Sequence, residues 1–130
     1  MRSLVLGICL LFVTACDEKS PLDPTPVDRQ IVLAPGENAV VAPQLSVRFM
    51  TVLGDSRCPA DAICIMGGDA IVRVEITAAN DRAERDLHTG NMQPVSHQGV
   101  TIELVSLAPY PFASRPIQPA DYRATLRVTR

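Results

Sequence analysis

The chain has 130 residues, a formal charge of −2, four cysteines and no tryptophan. Near-neutral charge, with no basic stripe interleaved with aromatics, argues against a role on nucleic acid. Once a leader and a linker are set aside, the length allows one domain with one core, and that core must come from Val, Leu, Ile and Ala because aromatics are only 4% of residues.

In chain order, Arg2 supplies a positive start, residues 4–13 an apolar run, and Val13, Thr14, Ala15 and Cys16 a lipobox-like cleavage site. The apolar run is about half the roughly 20 residues a spanning helix needs, so residues 1–15 read as a lipoprotein signal peptide. Cys16 is then the lipid acceptor and the mature N-terminus. The stretch DEKSPLDPTPVD that follows is acidic and proline-rich, unable to bury enough apolar area to offset its ordering entropy. Residues 16–29 are therefore expected to be a lipidated cysteine and a tether, with the folded domain spanning 30–130.

From residue 30 the pattern is that of strands. Short apolar stretches at 31–33 and 39–42 flank a Pro35-Gly36 turn. Leu45, Val47, Phe49 and Thr51 alternate with Ser46, Arg48 and Met50. Ala70, Val72, Val74 and Ile76 alternate with Ile71, Arg73, Glu75 and Thr77. Residues 79–82 read as a turn, 83–88 as a polar edge strand and 89–99 as loop with a short strand near Val95. Val100, Ile102 and Leu104 share a face of the next strand. Four prolines make 108–120 a long crossover loop. The last strand alternates Tyr122, Ala124, Leu126 and Val128 with Arg123, Thr125, Arg127 and Thr129. Seven or eight short strands and no convincing helix predict an all-β antiparallel β-sandwich, with a possible Greek-key crossover and a small β-barrel as the alternative.

Between the two best strand patterns lies DSRCPADAICIMGG, residues 55–68. Cys58 and Cys64 bracket five residues, Pro59 suits the first position of a short helical turn, and Gly67-Gly68 let the chain reverse. The run DSRCP, a second cysteine, then glycine, Asp69 and Ala70 resembles a signature of small, uncharacterised bacterial lipoproteins and secreted proteins. The resemblance runs from about Gly36 to the C-terminus, including LAPYP at 107–111 and Asp121-Tyr122. It implies no known activity. Those relatives carry a tryptophan where this chain has Met66, which implies either a lost binding platform or a position in the core that Met66 fills.

An exported chain meets an oxidising compartment, which favours a Cys58–Cys64 disulfide. The C-x5-C spacing lacks the C-x2-C knuckle of zinc sites and of redox pairs, so no metal and no cofactor are expected. His88 and His97, with Asp55, Asp61, Asp69, Asp86, Ser56 and Ser96, form no catalytic or calcium-loop motif and read as polar loop residues. Asp55 and Arg57 suggest a turn and an ion pair. Tyr110 and Phe112, set among prolines, form either a contact patch or a cap on one end of the sandwich.

The resulting expectation is a non-catalytic binding or structural module of the bacterial cell envelope. It would be lipid-anchored to the inner or outer membrane and face the periplasm or exterior, with Asp55, Arg57 and Met66 on a candidate binding loop for an envelope protein partner. The alternative is a metal-handling protein or enzyme using His88, His97 and the loop aspartates.

Overall fold

The computed structural model describes residues 26–130; the expected signal peptide, Cys16 and the expected tether through Thr25 lie outside the described residues. Eight strands follow one another: β1 (Asp28–Leu33), β2 (Asn38–Ala42), β3 (Leu45–Asp55), β4 (Ala70–Ala78), β5 (Asp81–His88), β6 (Val95–His97), β7 (Val100–Ala108) and β8 (Arg123–Thr129). They pair into two antiparallel four-stranded sheets, β1-β8-β7-β6 and β2-β3-β4-β5. This is the expected sandwich. Its order is simpler than a Greek key, because hydrogen-bonded neighbours are also chain neighbours except where β8 meets β1. The long segment after β7 is therefore a wide hairpin connection within one sheet, not a crossover.

The alternation seen in the sequence explains the packing. Ala70, Val72, Val74 and Ile76 of β4 and Ala124, Leu126 and Val128 of β8 are all fully buried, facing each other with Val47, Phe49, Ile102 and Leu104. Each buried Val, Leu, Ile or Phe among them contributes roughly 1.5–3 kcal/mol by leaving water. No charged side chain is buried in this core among the described residues. Val27 already belongs to it. Its backbone pairs in both directions with Arg130, and Asp28 opens β1, so the folded domain begins before residue 30. Both sheets and the core they share are formed by described residues.

Irregularities in β3 decide what reaches the end of the sandwich. Period two would put Thr51 inside with Phe49, but register shifts follow Phe49 and Val52. The first leaves Thr51 exposed and turns Val52 toward the core. The second restores the original parity, so Asp55 pairs with buried Ala70 and points inward.

The two ends of the sandwich differ. One end carries the tight turns at Pro43-Gln44, Ala79-Asn80 and Gln98-Gly99, together with the Val27–Arg130 pairing. The other carries the long connections 56–69 and 109–122 and a one-turn 3₁₀ helix, Pro119–Asp121.

Candidate functional site

The loop 56–69 leaves β3 and returns to β4 through a narrow neck. The Ser56 N–H and hydroxyl both donate to the Asp69 carbonyl, at 2.8 and 2.9 Å, and the Asp69 N–H donates to the Ser56 hydroxyl at 3.1 Å. Gly68 lies so close that a Cβ there would sit 1.4 Å from the Ser56 carbonyl oxygen. Only glycine fits, and the cause is close approach rather than an unusual φ. Above the neck the Cys58–Cys64 disulfide forms as expected, with Cα atoms 6.0 Å apart. Closing so short a loop stabilises by on the order of 2 kcal/mol. Pro59 starts a single turn closed by the Ala62 N–H on its carbonyl at 3.1 Å, shorter than the helical turn expected.

Beneath the loop sits a compact ionic latch. The Arg57 guanidinium donates to both Asp55 carboxylate oxygens, at 2.8 and 2.6 Å, to the Leu107 carbonyl at 2.8 Å and to the Pro109 carbonyl at 3.0 Å. The Tyr122 hydroxyl donates to Asp55 at 3.0 Å, and the guanidinium lies 5.7 Å from the centre of the Tyr110 ring. Burial pushes the Asp55 carboxyl up, but the bonds and charge of Arg57 and the bond from Tyr122 outweigh it and hold it below the ordinary value. The bond to Asp55 holds the Arg57 guanidinium up against its own desolvation. Burial, then the anionic Asp55 it binds, raises the Tyr122 phenol.

The ion pair between Asp55 and Arg57 is as expected, but an exposed binding role for them is not. Their side chains are only 10% and 8% exposed, and every group is turned inward onto protein. They tie the end of β3 to β7, to the proline-rich loop and to the start of β8.

Asp61 supplies a second clamp. Its carboxylate accepts from the Ala113 N–H at 2.6 Å, the Ser114 N–H at 3.3 Å and the Ser114 hydroxyl at 3.0 Å, while the Ala60 N–H donates to the Pro111 carbonyl at 2.9 Å. The Ala113 bond, opposed by a little desolvation, lowers the Asp61 carboxyl. The loop 109–122 thus serves as a shelf for the braced loop. Tyr110 and Phe112 on that shelf stay about half exposed instead of capping the core.

The remaining candidates are dispersed. His88 Nδ1 lies 2.6 Å from Asp69, whose carboxylate also accepts from the Gly90 N–H and the Thr89 hydroxyl. Burial raises the Asp69 carboxyl, but these bonds and His88 lower it further. His97 Nε2 is 3.3 Å from Asp81, without hydrogen-bond geometry, beside the opposite end of β5 from His88. Eight residues of strand separate those ends by roughly 24 Å. The structure does not bring the two histidines together, and both loop cysteines are consumed by their bond. Among the described residues no three His, Cys, Asp or Glu side chains are placed to hold one metal ion. Asp55, Asp61 and Asp69 each brace a different contact. The hollow of about 250 Å³ beside Asp55 is lined by Pro35, Thr51, Val52, Ile117, Pro119 and Tyr122, so that Thr51 is its one polar side chain besides the latch residues Asp55 and Tyr122.

What the loop does present is apolar. Ile63 and Ile65 are fully exposed, at 103% each, and Met66 is 80% exposed. Met66 is therefore no core filler. Ile63 and Ile65 escaped the sequence reading because an apolar pair around a cysteine signals burial by default; the available clue was that a ring closed across five residues leaves such side chains no interior to enter. No family model, curated protein or solved structure matches the chain.

Proposed function

We propose that this protein is a non-catalytic binding or structural lipoprotein of the bacterial envelope, held to a membrane through lipid on Cys16, whose sandwich presents the 56–69 loop to another envelope component. The observation that carries this reading is the way the loop is supported. Its neck, disulfide, latch and Asp61 clamp hold the tip in one conformation, lowering the ordering entropy any partner would otherwise have to overcome. Position supports it as well. The chain enters the sandwich at Val27, at the end with the tight turns, so a tether from Cys16 leaves the braced loop at the far end. The polar groups under the loop are saturated by one another, which suits display better than chemistry.

Replacing Cys16 with Ala is expected to abolish incorporation of radioactive palmitate and to release the domain from washed membranes. Labelling that persists in that variant overturns the anchor. Stoichiometric zinc or copper in the purified protein would favour the metal-handling alternative.

A further inference from the structure

We infer that Ile63, Ile65 and Met66 are a lipid-insertion element, a braced apolar tip that enters the boundary between headgroups and acyl chains of a membrane. The inference rests on the reading of the loop as the contact site and names what it contacts. Three large side chains at 103%, 103% and 80% exposure stand in water without folding back on the domain, because the disulfide, the Ser56–Asp69 neck and the Asp61 clamp hold them away from it.

The composition of the tip selects the occupant. From Ala62 through Gly68 the side chains are Ala, Ile, disulfide-bonded Cys, Ile, Met, Gly and Gly, and none offers a strong hydrogen-bonding group. Specific protein contacts draw on Tyr, Trp and Arg anchors within a polar rim. Insertion into a lipid interface draws its strength from buried apolar area, to which attraction between basic residues and anionic headgroups adds, and it needs no directional polar anchor. The nearest carboxylate, Asp61, is already bound to Ala113 and Ser114. Behind the tip, on the shelf joined to it by the Ala60–Pro111 bond, stand the half-exposed rings of Tyr110 and Phe112, and amphipathic rings such as tyrosine favour headgroup depth. The chain enters at Val27, at the other end of the sandwich, about 34 Å away along the eleven-residue β3.

The test uses the fact that the chain has no tryptophan. In the unlipidated chain 20–130, which contains all eight described strands, Met66→Trp puts a single reporter on the tip. Adding protein-free phosphatidylcholine vesicles is expected to shift its emission to the blue, with quenching by lipids brominated near the headgroup, equally at low and high salt. Adding Ile63→Ser and Ile65→Ser to that variant is expected to weaken vesicle partitioning at least tenfold, since each exposed isoleucine gives up roughly a factor of ten in transfer. Both positions are fully exposed, so the circular dichroism should not change. Partitioning that survives the double serine variant overturns the inference. So does a shift seen with native envelope vesicles but not with protein-free vesicles of the same lipids, which would assign the tip to a protein pocket. No shift with either overturns the inference and, with it, the reading of this loop as the contact site.

Discussion

The two ends of the sandwich solve the same problem, reversing the chain between antiparallel strands, by different means. At one end Ala79-Asn80 and Gln98-Gly99 do it in two residues each, all with positive φ, as primed hairpin turns require. At the other end two long connections are held against each other by a disulfide, a buried ion pair and a carboxylate clamp. The tight turns are closed by local geometry and joined to one another by single bonds, Ala79 to Gln44 and Gln98 to Asp81. The ion pair among these supports depends on the two register shifts in β3, which deliver the Asp55 carboxylate to the inner face beside Arg57. The disulfide, the ion pair and the clamp lie at the end that carries the exposed Ile63, Ile65 and Met66.

If the latch supports the loop end, removing its cation should have the largest effect. Arg57→Ala leaves the Asp55 carboxylate buried without its partner and the Leu107 and Pro109 carbonyls unpaired. The expected cost is about 3–5 kcal/mol in urea denaturation. The pH dependence gives a second readout. In the native protein the Asp55 carboxyl is lowered, so its contribution is present above the unfolded value near 3.9 and is lost as pH falls through the lower folded value. In Arg57→Ala desolvation is no longer outweighed and the folded value moves up, so the gap between the two proteins should narrow as pH falls below about 5. A gap that stays constant across that range would mean that Arg57 acts through packing alone.

The comparison also separates what the sequence discloses from what it does not. The turn after β4, the core faces of β4 and β8 and the cysteine pair were legible, because each depends on residues near in sequence or on a strict period of two. The latch was half legible. The spacing of Asp55 and Arg57 announces an ion pair, but Tyr122, Leu107 and Pro109 join it from 50 or more positions away. No local pattern could show that the pair faces inward, because two bulges reset the parity of β3. The clamp of Asp61 on Ala113 and Ser114 was hidden for the same reason: it joins two loops whose approach is decided by sheet order.

Exchanging glycine between the ends sharpens the contrast. Gly68→Ala drives a methyl group into the Ser56 carbonyl, a backbone atom that cannot swing aside. Opening the neck to admit it should cost roughly 1–3 kcal/mol. Hydrogen exchange should show the loss of protection at Ser56 and Asp69, while the tight turns keep theirs. Uniform loss of protection across both ends would show that the neck is part of the global unfolding unit and not a local gate.

The smallest effect is expected at the tight end, with the opposite sign. Ala79 is held at φ 49° and its N–H donates to the Gln44 carbonyl at 3.1 Å, so it cannot relax without breaking the tie between neighbouring hairpins. A left-handed alanine costs on the order of 1–2 kcal/mol that glycine avoids, while glycine gives the unfolded chain more freedom, by about 0.4–1 kcal/mol. The difference leaves Ala79→Gly more stable by roughly 0.5–1 kcal/mol, a rise in thermal midpoint of a few degrees for a domain of this size. Because the two hairpins meet at this tie, the gain should appear in the Gln44 turn as well as in its own, and it should leave the braced loop untouched. A fall in midpoint would mean that the alanine methyl group packs to a benefit larger than the backbone strain, and the tight end would then owe its stability to side chains, as the loop end does.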